Sequence, residues 1–206
     1  VIPAYENGGV ACTGNSEIFT ITINPDAQVN EIDDLVYNDG DLVQIPFSSS
    51  NSGGSTTYEW TSTDISNGME SSGSGNIEFI ATNAGTSPIV TTVSVTPTFE
   101  NGGNSNSGNP ETFTITVNPV PQVESIQSII ICAGEEIEDI NFSTLNTGGT
   151  TTYAWTNDNP AIGLAASGNG DILSFTATNN TTSALVATVE VTPTYENGGV
   201  TCAGNT

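Results

Sequence analysis

No lysine, arginine or histidine occurs in the 206 residues, whereas aspartate and glutamate number 23, so the formal charge is -23 without one side-chain cation. Basic residues ordinarily make up roughly an eighth of a chain, which removes chance as the cause. Affinity for phosphate and nucleic acid comes from Lys and Arg neutralising backbone charge, and this chain repels polyanions. Nucleic acid is excluded as a direct partner. With no imidazole, amine or guanidinium there is no Ser-His-Asp or Cys-His machinery, no Schiff base, no phosphoryl clamp and no histidine metal ligand. Only carboxylate chemistry survives for an enzyme.

Other classes of residue are scarce too: 7% aromatic, three cysteines, one methionine, and 35% hydrophobic residues overall. Such an acidic, lean chain would read as disordered were it not for regular apolar alternation and two tryptophans in matching settings. No run reaches the roughly 20 apolar residues of a membrane span, and no signal peptide opens the chain. The expectation is mature, soluble material from within something longer, with no membrane insertion by this segment.

What is present is a repeat. Tyr5-Glu6-Asn7-Gly8-Gly9 returns as Phe99-Glu100-Asn101-Gly102-Gly103 and as Tyr195-Glu196-Asn197-Gly198-Gly199, an interval of 94 to 96 residues. Phe19-Thr20-Ile21-Thr22-Ile23-Asn24-Pro25 returns as Phe113-Thr114-Ile115-Thr116-Val117-Asn118-Pro119, and Tyr58-Glu59-Trp60-Thr61 as Tyr153-Ala154-Trp155-Thr156. Within a unit the apolar residues alternate with period two, the mark of half-buried strands. Strands are predicted near 28–37, 42–47, 57–62, 67–71, 76–82, 89–97 and 111–118, with Gly-, Asn- and Ser-rich turns between them and almost no helix. Seven such strands in a unit of this length predict an all-β fold of tandem immunoglobulin-like β-sandwiches.

Proline after asparagine marks the boundaries, because it ends a strand and holds the preceding residue extended. Residues 1–24 read as the end of a preceding unit, 25–118 as a complete unit, and 119–206 as a unit lacking its last strand. Donation of residues 17–24 to a second molecule is an alternative, as in strand-complemented pili. It brings along residues 1–15, which duplicate what 192–205 already provide.

The cysteines fall at repeat-related positions. Cys12 and Cys202 correspond, with Asn106 as their counterpart in the complete unit, and Cys132 corresponds to Asn38. Both partners are absent together from the complete unit, so the economical reading is an intradomain disulfide Cys132–Cys202, with Cys12 partnered upstream. Standard immunoglobulin topology places these two loops at opposite ends of the sandwich, which leaves small, partly buried thiols as the other reading.

Glu6, Glu100 and Glu196 share one repeat position, and repetition points to structure rather than to one active site. Glycosidase chemistry needs two carboxylates about 5 to 10 Å apart beside a cleft of aromatic platforms, and the pattern indicates neither. The chain reads as no enzyme. Calcium is the one cofactor candidate, at Asn38-Asp39-Gly40-Asp41 with Asp33-Asp34 nearby, since hard oxygen ligands abound. Against Asp39 and Asp41 as ligands, the spacing departs from Asp-x-Asp-x-Asp-Gly and Asn-Asp-Gly is an ordinary turn. Trp60 and Trp155, with the repeat-matched Phe79 and Phe175, read as core packing, with ligand stacking the lesser reading.

Taken together, Thr112-Phe113-Thr114-Ile115-Thr116-Val117-Asn118-Pro119, Tyr153-Ala154-Trp155-Thr156-Asn157, the stretch Ile162 to Gly168 and Val191-Thr192-Pro193-Thr194-Tyr195 resemble the PKD-like repeats of giant surface adhesins of Bacteroidota. The resemblance implies a very long protein exported by the type 9 secretion system, displayed on the outer membrane, and used for attachment or gliding motility. The repeats would form its shaft, contacting neighbouring repeats of the same chain while other regions bind a surface or glycan ligand. It supplies no catalytic residue. A subunit of a self-assembling extracellular filament and a carbohydrate-binding module are the alternatives from other classes.

Overall fold

The period-two pattern becomes strand wherever a neighbouring strand can accept it, in a computed structural model that describes residues 1–204. The leading residues form an isolated antiparallel hairpin, β1 (Ala4–Asn7) and β2 (Val10–Thr13). A sandwich follows from β3 (Leu35–Asn38), β4 (Leu42–Ile45), β5 (Ser55–Ser62), β6 (Ser72–Ser74), β7 (Ile77–Ile80), β8 (Ile89–Asn101), β9 (Asn104–Ser107) and β10 (Glu111–Asn118). One sheet has the order β3-β10-β8-β5-β6, with β9 continuing along β8, and the antiparallel pair β4-β7 is the other. The edge pairing of β3 on β10 is parallel and every other pairing is antiparallel. This is an immunoglobulin-like β-sandwich.

Its core collects the inward residues of both sheets. Val43, Ile45 and Ile77 from the small sheet meet Trp60, Val93, Val95, Phe113, Ile115 and Val117 from the large one. Burial alternates along β10, where Phe113, Ile115 and Val117 are buried and the threonines between them are half-exposed.

Three departures from the predicted strands have local causes. Only the end of 28–37 is strand, because side chains hold the earlier part: Asn51 Oδ1 accepts from the Gln28 amide at 2.7 Å and Asn51 Nδ2 donates to the Asp26 carbonyl at 2.9 Å. Residues 67–71 are a tucked loop, closed by the buried Asn67 accepting from the Met69 amide, and the strand forms at 72–74 instead. The long β8 runs past 97 and turns back as β9 through Gly102 and Gly103, with φ of 62° and 78°. Two successive positive φ values define the turn whose twist suits a hairpin, which is why the repeated phrase is Asn-Gly-Gly.

The second unit contains β11 (Glu136–Ile137), β12 (Thr150–Asn157), β13 (Ser167–Asn169), β14 (Phe175–Thr176), β15 (Val189–Asn197) and β16 (Val200–Ala203). Its sheets are β13-β12-β15-β16 and β11-β14, and a single 3-10 turn at Pro160–Ile162 is the one helical element among the described residues. Among those residues it has no counterpart of β10 or of β3. Val93 and Val95 are fully buried under β10, whereas their counterparts Val189 and Val191 are only half-buried. Ile129, Ile130 and Ile131, aligned with β3, are solvent-exposed coil. A strand whose ladder partner is missing has nowhere to place its amides except water.

Trp60 and Trp155 are buried, each in its own core, with Phe79 and Phe175 half-buried against the same clusters. Each indole covers a glycine of the adjacent strand: a Cβ built on Gly73 or Gly168 would come within 2.3 Å of Trp60 or Trp155. Gly73→Ala is therefore expected to destabilise the first sandwich by about 1–3 kcal/mol through overpacking. Urea unfolding followed by Trp60 fluorescence in a Trp155→Phe background reads this directly, and an unchanged midpoint would contradict the packing.

Candidate functional site

Asparagine occupies each unit boundary. Asn118 ends β10, is fully buried, and donates from Nδ2 to Asn38 Oδ1 at 3.3 Å and to the Asn197 carbonyl at 3.4 Å. Asn197 Nδ2 donates back to Asn118 Oδ1 at 3.0 Å. Asn38 Nδ2 then reaches the Thr201 carbonyl at 3.1 Å, so the tip of the β15–β16 hairpin is bolted to the end of the preceding sandwich. Gly198 completes the fit, since a Cβ there would press on Val36 at 2.8 Å. The upstream boundary repeats the device: Asn24 Nδ2 donates to the Asn101 carbonyl at 3.2 Å, and Asn101 Nδ2 returns to Asn24 Oδ1 at 3.0 Å.

A second contact at the same junction rests on Tyr195. Its hydroxyl donates to the Thr147 carbonyl at 2.9 Å, and the Thr147 amide donates to the Thr86 carbonyl of the preceding sandwich at 2.8 Å. Burial, with the Cys202 thiol adding to it, holds the Tyr195 hydroxyl above the ordinary tyrosine value. Phe99 fills the equivalent position in the first sandwich and has no proton to lose.

The calcium candidates lie beside this junction but already have partners. Asp41 Oδ2 accepts from the Asn38 amide at 2.7 Å, and Asp39 Oδ1 accepts from the Asn83 amide at 2.6 Å. Glu135 does in the second unit what Asp41 does in the first, accepting from the Cys132 amide at 3.0 Å. Asp34, nearby in sequence, accepts from the Thr114 amide at 2.7 Å, and that bond holds its carboxyl below the usual value. Among the described residues no group of three or more acidic, cysteine or histidine side chains converges as a cation site would require.

The intradomain disulfide Cys132–Cys202 does not form; all three cysteines are unbonded. The reason is the topology. Asn38, the counterpart of Cys132, pairs with Asn118 near the Ile89 end of β8, whereas Asn106, the counterpart of Cys202, pairs with Phe99. Those ends of an extended strand are about 30 Å apart, against the roughly 4.4–6.8 Å between Cα atoms that a disulfide spans. The second unit keeps this layout, because Gly134 donates to Ala177 as Gly40 does to Ala81. Cys202 lies at the junction instead, its Sγ 3.7 Å from the Pro119 carbonyl, and burial plus the Asp41 and Asp39 charges push its thiol up.

One feature escaped the residue pattern. An apolar groove opens in the second sandwich where β10 and β3 would lie, lined by Ile140, Phe142, Leu164, Ile172, Phe175 and Val191 among others, with no carboxylate on its wall. The clue was the truncated unit itself, read as missing a strand but not as leaving a cleft. At the other end of the chain, residues 17–24 align with β10 but pair with no strand: Phe19, Ile21 and Ile23 are 70%, 77% and 88% exposed.

No family model matches the sequence, and no curated protein does. Among solved structures, the chain is similar to the insect immune protein hemolin, whose crystal structure was described as a new domain arrangement with implications for homophilic adhesion. The identity is 13% and the TM-score 0.33, over 98% of this chain and 54% of that one, so the chain spans about half the length of hemolin.

Replacing Asn118 by Ala removes both halves of the amide clasp and is expected to cost about 1–3 kcal/mol. It should also widen the distribution of angles between the sandwiches, seen in small-angle scattering; an unchanged profile would refute the clasp. The second expectation concerns alkali. The folded state favours neutral Tyr195, so its contribution is intact below about pH 10 and lost as pH rises through the raised folded value. In a Cys202→Ser background, Tyr195→Phe should flatten the alkaline loss of stability of the second sandwich, and an identical pH profile would count against the role given to this hydroxyl.

Proposed function

We propose that this chain is a stretch of the shaft of a very long, secreted cell-surface adhesin of the Bacteroidota kind, built of PKD-like repeats. In this reading residues 25–118 and 119–206 are successive repeats and 1–24 closes the one before. The observation that carries it is the recurrence of one clasp at two boundaries, Asn24 with Asn101 and Asn118 with Asn197. A device copied at each boundary sets the same orientation each time, which is what a linear projecting array needs. The polyanionic surface keeps neighbouring shafts apart, and it has no Lys or Arg for a trypsin-like protease. Attachment, and gliding where the cell glides, then belongs to regions beyond this segment, and export by the type 9 system to the outer membrane follows from the resemblance. The segment itself needs no cofactor and performs no catalysis.

A second reading, the subunit of a filament joined by strand exchange, is favoured by the exposed coil at 17–24, whose sequence repeats that of β10. Intact mass of the native polypeptide separates the two: many units in one chain are expected for the shaft, and a product of this length alone would overturn it. Pulled from its ends, the shaft should unfold unit by unit in force spectroscopy, each releasing about 300 Å of chain.

A further inference from the structure

We propose that Asn197, and by the same geometry Asn101, is a site of spontaneous deamidation, and that its conversion undoes the clasp between consecutive sandwiches. The proposal stands on the junction geometry and holds whether the chain is a stretch of a shaft or a filament subunit. Asparagine is thermally labile, most of all where the next main-chain nitrogen is unhindered, free of other bonds and able to lose its proton. Glycine obstructs that nitrogen least because it has no Cβ, and Asn-Gly occurs at Asn7, Asn67, Asn101, Asn169 and Asn197. At two of these the glycine nitrogen is committed elsewhere. The Gly68 amide donates to the Ile65 carbonyl at 3.2 Å, and the Gly170 amide to the Tyr153 carbonyl at 2.9 Å. In the hairpin phrase it is the second glycine that is held, Gly103 by Glu100 at 3.0 Å and Gly199 by Glu196 at 3.2 Å. The first, Gly102 or Gly198, donates to no atom among the described residues.

The junction itself imposes the labile pair. Asn197 is needed as the donor to Asn118 Oδ1 at 3.0 Å, and Gly198 because its φ is 61° and a Cβ would meet Val36 at 2.8 Å. The other half of each clasp is inert, since Asn118 and Asn24 precede Pro119 and Pro25, and a proline nitrogen carries no hydrogen to lose. In the reaction the Gly198 nitrogen gives up its proton and attacks Asn197 Cγ. The N–Cγ bond forms, the Cγ–Nδ2 bond breaks, and Nδ2 leaves with a proton as ammonia. Water, the only co-reactant, then opens the cyclic imide, its hydroxyl going to a carbonyl carbon and its remaining hydrogen to the nitrogen. Opening at Cγ leaves aspartate; opening at the main-chain carbonyl leaves isoaspartate, with the main chain lengthened by a methylene. Either product puts a carboxylate where Nδ2 was, so acceptor faces acceptor at Asn118 Oδ1. The new charge also joins Asp39 and Asp41, which lie close enough to this junction to act on Cys202. The intact clasp restrains the reaction, because the Asn197 amide must leave Asn118 before its Cγ can turn to the Gly198 nitrogen.

The test keeps the chain in warm, mildly alkaline buffer, where the glycine proton is lost more easily, and follows each site over days by peptide mapping after cleavage at glutamate. Conversion shows as the mass difference between NH and O. Asn101 and Asn197 are expected to convert while Asn67 and Asn169 persist. Asn7, whose amide has no partner among the described residues, marks the unguarded rate and should lead. Asn118→Ala should speed Asn197 roughly fivefold, the factor that one net hydrogen bond is worth, and leave Asn101 unchanged. Persistence of Asn67 and Asn169 in that variant reports that both sandwiches stay folded. Asn197→Asp, which is one of the products, should broaden the distribution of angles between the sandwiches in small-angle scattering, whereas Asn169→Asp, the same charge on an exposed residue of β13, should not. Conversion of Asn67 and Asn169 as fast as Asn197 overturns the proposal, as does an Asn197 rate indifferent to Asn118 in a folded variant. Identical scattering from Asn197→Asp and Asn169→Asp overturns it as well, and none of these outcomes bears on the number of units in the native chain.

Discussion

Everything in the sandwich leans on its last strand. β10 is hydrogen-bonded on both edges, antiparallel to β8 and parallel to β3, while its inward side chains close the core over Val93 and Val95. The second unit displays what those contacts hold together. With no equivalent strand among the described residues, the stretch aligned with β3 is coil, β11 and β14 are two residues each where β4 and β7 are four, and aliphatic residues face an open groove. A strand paired on two sides is worth more than its own residues, because its neighbours lose their amide partners when it goes.

With no cation available, side-chain amides do the work of ion pairs. An asparagine both donates and accepts, so it can close a loop without leaving a buried charge, which would be costly. Asn51 ties its loop to Asp26 and Gln28, and Asn146, at the same repeat position, ties its own to Val120 and Gln122. The junction uses the same chemistry between units. Amide pairs are neutral and insensitive to salt, whereas the 23 carboxylates spread over the surface repel at low ionic strength and are screened as it rises. Orientation and solubility are therefore set by separate groups.

The fold class was legible because period two and the turn phrases agree, and the repeat made each reading count twice. Phe113, Ile115 and Val117 announce β10 unaided. What could not be read were strands and loops set by a single side-chain bond: Asn67 to Met69 moves a predicted strand five residues along, and Asn51 holds the start of the predicted first strand at Asp26 and Gln28. For the junction, Asn-Pro was visible as a boundary, but its function was not, because reciprocal bonding between Asn118 and Asn197 depends on which hairpin folds back onto which strand end. The groove is the counterpart of the missing strand, seen as an absence in the sequence and as apolar surface in the structure.

The cysteines show how a repeat can mislead. Asn38 and Asn106 replace Cys132 and Cys202 together, and joint replacement looks like contact within a unit. In a tandem array, however, the loop at one end of a sandwich meets the next sandwich rather than its own far end. Asn38 reaches Thr201, the neighbour of Cys202, across the junction, while Asn106 Nδ2 donates to the Pro25 carbonyl at the boundary upstream. Positions aligned with 38 and 202 are thus neighbours between consecutive units and strangers within one. Joint replacement within a repeat does not by itself imply contact, which has to be argued from topology, and here topology couples the first turn of one unit to the last hairpin of the unit that follows.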